Sequence, residues 1–211
     1  KVRRLANRVQ FKFEAWDEYL KRMPALKDKD ITFAFDEWSP RNRSLGTGPA
    51  PAVNPMLNPL TNALVYHEFF RHSDMVGLAV ATGGMGTVAS DTFGDAIGLR
   101  MEGRVMKVLH DHFAGALPVA VTGSSPQLPA KGVVAIDNSA RPSGSPTYPL
   151  DVFAALSADR KTLSISVVNP TETAQECVLN LTGVRASGPA TVSQLTAPAG
   201  PPPAPPAPGM G

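Results

Sequence analysis

Apolar positions at Leu5, Val9, Phe13, Trp16 and Leu20 recur at steps of three and four with charged residues between them, which predicts an amphipathic helix over 5–20, closed by Pro24. Beyond the charged turn "KDKD", the run Ile31, Phe33, Ala34, Phe35 is apolar on both faces, as expected of a strand covered on both sides in a parallel sheet. It ends abruptly in Asp36, Glu37 and Trp38. Residues 39–60 contain five prolines and read as a long loop after that strand. "TNALVYHEFFR" predicts a helix over 61–71 with Thr61 as N-cap, and "MVGLAVAT" a second buried strand over 75–82. The glycine-rich "GGMGTVASDTFGD" then leads to a helix over 97–113, where Leu99, Val105, Val108, Leu109 and His112 are the periodic positions. Helix, strand, loop, helix, strand is the order of a parallel α/β domain.

Near Gly115 the pattern changes to short alternating runs broken by turns: "LPVAVTG", "GVVAIDNSA", "LDVFAALSADRKTLSISVVNPTETAQECVLNL" and "ATVSQLT". In "KTLSISVVN", Leu163, Ile165 and Val167 share one face and Thr162, Ser164 and Ser166 the other, predicting a strand of a half-exposed antiparallel sheet with the aliphatic face inward. An all-β module, most simply a sandwich, is expected here. "APAGPPPAPPAPGMG" has no apolar periodicity and reads as an extended tail or the start of a linker.

Composition changes little in this picture. The 211 residues are 43% hydrophobic and 18% charged with a net charge of +2, enough to bury a core. Twenty basic against 18 acidic residues, with no basic block, give no reason to expect a nucleic-acid or anionic-membrane partner. Cys177 has no second cysteine to pair with and sits in an alternating context, so it reads as a small core hydrophobe. No apolar run reaches membrane-spanning length, and "KVRRLANRVQ" has no apolar centre of a signal peptide. The start at Lys1 suggests part of a longer polypeptide, which leaves the compartment open.

Asp36 and Glu37 fall at the C-terminal end of a strand, where the active sites of parallel α/β domains gather. Glycoside hydrolysis needs two carboxylates about the scissile bond, and the Trp38 ring offers an apolar face to a sugar. The same residues would serve equally as a solvated strand end above a core tryptophan. "TGGMGT" lacks the Gly-Lys-Ser/Thr ending of a phosphate loop. His110 and His112 lie two apart on a helix, and Glu68 follows His67 directly, so neither pair shares a face for a metal. Met75, Met85, Met101 and Met106 read as core filler, and "NLT" at 180–182 fits a glycosylation sequon that matters only in a eukaryotic secretory pathway.

"ITFAFDEWS", followed by an irregular loop and "VYHEFFRHSDMVGLAVAT", resembles the C-terminal part of the catalytic barrel of glycoside hydrolase family 51, the α-L-arabinofuranosidases. "GLRMEGRVMKVLHDHFAGALPVAVTGSSPQ" resembles the last barrel helix and its exit, and "LDVFAALSADRKTLSISVVNPTETAQECVLNL" the strands of the family's β-sandwich. The resemblance implies three parts: 1–114 as the C-terminal portion of a (β/α)8 TIM barrel, 115–197 as an antiparallel β-sandwich, and 198–211 as a Pro-rich tail. It implies Glu37 as the nucleophile of a retaining hydrolase, with Trp38 and Asp36 in the sugar site and no metal or organic cofactor. The substrate implied is an arabinose-bearing hemicellulose or pectin, in polymeric or oligomeric form, and self-association into a homo-oligomer goes with the family.

The family's acid/base glutamate, in an Asn-Glu motif, has no counterpart in residues 1–30, so a partner is expected: the N-terminal half of the same enzyme, in the same or a separate chain. "ATGGMGTV" stands where the family carries a sugar-contacting glutamine, which leaves an endo-glucanase or xylan-active member as the alternative within the family. A non-catalytic carbohydrate-binding module is the alternative of another class.

Overall fold

A computed structural model describes residues 2–39, 54–81, 88–90, 97–123, 145 and 147–197. The first element, α1 (Arg4–Arg22), turns Ala6, Asn7, Val9 and Phe13 inward and is followed by a 3-10 turn at Pro24–Lys29. Asp30, in the left-handed region at φ 46°, then redirects the chain into β1 (Phe33–Trp38). The helix α2 (Leu57–Arg71) leads to β2 (Val76–Ala81), which lies parallel to β1. A small antiparallel ladder follows, β3 (Val88–Ser90) with β4 (Ile97–Leu99), and then α3 (Met101–Phe113). Finally β5 (Leu117–Pro118), β6 (Asp151–Leu156) and β7 (Leu163–Val168) form an antiparallel sheet in that order.

Beneath the parallel pair, Phe13 meets Phe33 and Phe35 edge-on at 5.4 and 5.7 Å, and Phe35 tilts against Phe69 at 4.9 Å. Aromatic pairs in these geometries add about 0.5–1.5 kcal/mol each beyond their buried area. A single cluster takes in Ala6, Val9, Phe13, Trp38, Leu64, Val65, Phe69, Val105, Leu109 and Val168, so helices and both kinds of sheet share one core.

Several sequence expectations are corrected. The parallel pair is not covered on both sides: Ala34 of β1 is exposed, and Leu78 and Val80 of β2 are open to solvent, Leu78 at 51%. The helix predicted from Thr61 begins four residues earlier, and Thr61 sits in its interior, its hydroxyl 2.7 Å from the Leu57 carbonyl and 3.2 Å from that of Val2. Residues 97–99 are strand rather than helix, because α3 starts only after the extended Arg100. On β7 it is Val167 that is exposed, at 44%, while Ser166 and Val168 turn toward α2. Cys177 is exposed, and residues 170–197, including "ECVLNL" and "ATVSQLT", contain no helix or strand. The motifs "TGGMGT" and "GVVAIDNSA", Met85, residues 40–53 and the Pro-rich tail lie outside the described residues.

Candidate functional site

The strand end that carries Asp36 and Glu37 departs from regular pairing. Phe35 is opposite Ala79 and Trp38 opposite Ala81, so three steps on β1 match two on β2 and one residue is extra. That is a bulge, and its effect on side chains is direct. Up to Phe35 the strand alternates, with Phe33 and Phe35 inward and Ala34 outward. Regular alternation would then send Glu37 into the helix-packed core. With one residue inserted, Asp36 and Glu37 are both exposed and Trp38 is returned to the interior, 6% exposed. Two adjacent carboxylates thus stand in water at the C-terminal end of a parallel strand.

Trp38 is fixed from below. Its ring is edge-on to Tyr66 at 5.3 Å and to Phe69 at 5.6 Å, both on α2. The sequence-predicted trio therefore divides: Asp36 and Glu37 face solvent, and Trp38 anchors the strand end in the core.

A second constellation was not anticipated from the sequence. Nine residues of α2 are buried, among them Asn62, His67 and Glu68, because the helix packs against α1 and α3 as well as against the aromatic rings of β1 and the antiparallel sheet. On the flank facing the antiparallel sheet, His67 Nδ1 is 2.7 Å from Asp151 Oδ1 and His67 Nε2 is 2.8 Å from Ser166 Oγ. Arg71 donates to Asp151 and, at 3.1 Å, to Glu68 Oε1, with the Val152 carbonyl 3.3 Å away. His67, Glu68 and Asp151 are each 0% exposed. Burial holds the His67 imidazole below its usual range against the opposing pull of Asp151, so the ring is neutral at pH 7. An ionised carboxylate only accepts, so Nδ1 carries the proton toward Asp151 and Nε2 accepts from the Ser166 hydroxyl.

Carboxylate to Nδ1 and Nε2 to hydroxyl is the contact order of an acyl-transfer triad. Here imidazole and carboxylate are sealed from solvent while Ser166 is half-buried, and the network forms a polar seam between α2 and the sheet. The signal for it in the sequence was faint: Glu68 and Arg71, three apart, interrupt a helix that has no clean apolar stripe.

Elsewhere, an open groove of about 500 Å³ between α2 and α3 is lined by Tyr66, Phe70, Met106, Leu109 and Phe113 with Lys107 at its rim. Among the described residues no three His, Cys, Asp or Glu side chains are placed to hold a metal ion, and no helix is long and apolar enough to cross a membrane. Comparison of the chain with family models, with curated proteins and with solved structures gave no match.

Proposed function

We propose that this chain is the nucleophile-bearing C-terminal part of a retaining glycoside hydrolase of the α-L-arabinofuranosidase type. The observation that supports the reading best is the bulge between Phe35 and Trp38, which exposes Glu37 beside Asp36 at the C-terminal end of a helix-backed parallel strand. The open face of the β1–β2 pair is what the last strands of a barrel would present to the strands that complete it.

In this reading Glu37 attacks the anomeric carbon as a second carboxylic acid, contributed from outside this chain, protonates the departing oxygen. The resulting ester between Glu37 and the sugar is cleaved by water activated by that same second group, with net retention. Asp36 stands next to it within the site, and Trp38, seated on Tyr66 and Phe69, holds the strand end still.

The test is Glu37→Gln in the complete enzyme, assayed on p-nitrophenyl α-L-arabinofuranoside. Loss of turnover by at least about a thousandfold with the fold intact is expected of a nucleophile. Turnover within about tenfold of the parent would refute the assignment and favour a carbohydrate-binding module.

A further inference from the structure

The buried network on α2 and the exposed carboxylates on β1 are connected through one helix. Tyr66 and Phe69, which seat Trp38, flank His67 and Glu68 along α2, which belong to the network, and Arg71 completes it one turn on. A 15-residue helix gripped on both flanks moves as a unit, because packed interiors transmit displacement rather than absorb it. The polar flank is the directional one. Apolar contacts tolerate small slides, whereas the hydrogen bonds from His67 to Asp151 and Ser166 and from Arg71 to Asp151 each fix a distance and an angle.

Resting on the reading of Glu37 as nucleophile, we propose that Asp151, His67, Arg71 and Ser166 are positioning residues for it: the antiparallel sheet sets the axial placement of α2, and α2 sets Trp38 and the bulge. The sheet thus contributes to chemistry without touching the sugar. Misplacing a reacting group by about 1 Å can lower turnover a hundredfold, so small shifts at the strand end matter.

The chain has two tryptophans, so Trp16→Phe leaves Trp38 as the sole reporter of the strand end. In that background Asp151→Asn keeps the side-chain shape and removes the charge, Ser166→Ala removes one hydroxyl, and Ser166→Thr retains it. On the folded 211-residue chain, Asp151→Asn and Ser166→Ala are expected to red-shift Trp38 emission and raise its acrylamide quenching, with Ser166→Thr restoring both. In the complete enzyme the same two substitutions are expected to lower kcat by about 10–100-fold with KM within about twofold. Should Asp151→Asn fail to fold, Ser166→Ala carries the test. An unchanged Trp38 signature, or an unchanged kcat beside a shifted signature, overturns the proposal. A shifted Trp38 in an enzyme whose turnover survives Glu37→Gln would instead leave the coupling standing and remove the hydrolase reading.

Discussion

Phe13→Ala is the substitution that interrogates the support of β1 most directly. Phe13 is 0% exposed and joins three elements: it is edge-on to Phe33 and Phe35 of β1 and stacks on His72, after α2, at 4.2 Å. Truncating a buried Phe costs about 3–5 kcal/mol through lost transfer energy and the cavity left behind. Because the same truncation also removes the edge-on and stacked pairings of this ring, a value in the upper half of that range, about 4–5 kcal/mol, is expected. Against a total of about 5–15 kcal/mol for an ordinary domain this is a large fraction. Urea unfolding followed by far-ultraviolet circular dichroism measures it. A second readout is local. Burial is the main cause holding His72 below its usual range, partly opposed by Asp74, Asp17 and Glu14, so opening a cavity over the imidazole should move its titration up toward 6.5. Proton NMR of the histidine ring follows that directly. A loss below about 1.5 kcal/mol, with His72 titrating as before, would refute the reasoning, since it would mean the Phe13 ring is not the packed joint described.

Two further outcomes are expected. Both His67 and His72 have pKa values lowered in the folded chain, so the unfolded chain binds more protons below 6.5; stability is complete above that pH and falls as pH drops through it. The slope approaches at most about 1.4 kcal/mol per pH unit for each group, and His67→Gln should reduce the pH dependence of the urea midpoint. A midpoint flat between about pH 7 and 5 would contradict this. Asp151→Ala, which leaves Arg71 and His67 facing a sealed vacancy, should cost about 3–5 kcal/mol, and the double substitution with Arg71→Met should lose at least about 1 kcal/mol less than the sum of the two singles. Additive losses would show that the pair is not coupled.

What could be read from the residues was whatever repeats locally. The stripe through Val9 and Phe13 marks the buried side of α1, and the apolar run before Asp36 marks β1, because both depend on neighbours a few positions apart. Its failures have a common physical cause. The aliphatic face of β7 was expected inward, yet Ser166 faces α2 because its partner there is the His67 imidazole, 99 residues away in sequence. No local pattern encodes a partner at that separation. Thr61 looks like a cap by residue type, but its hydroxyl also satisfies a helix carbonyl in the interior of α2. The bulge at Asp36 and Glu37 was likewise invisible, since one inserted residue changes which side each carboxylate takes without changing composition.

The long separations in the polar seam also bear on how the chain is made. Arg3 donates to the Pro149 carbonyl 146 residues later, and His67 waits 84 residues for Asp151. At about 5–20 residues per second, a ribosome delivers Asp151 roughly 4–17 s after His67. Throughout that interval one flank of α2 faces water. Because this flank sets His67, Glu68 and Arg71 beside Phe70, the nascent chain meets solvent there partly with groups that hydrate well, which lowers its tendency to stick to a neighbouring chain while it waits.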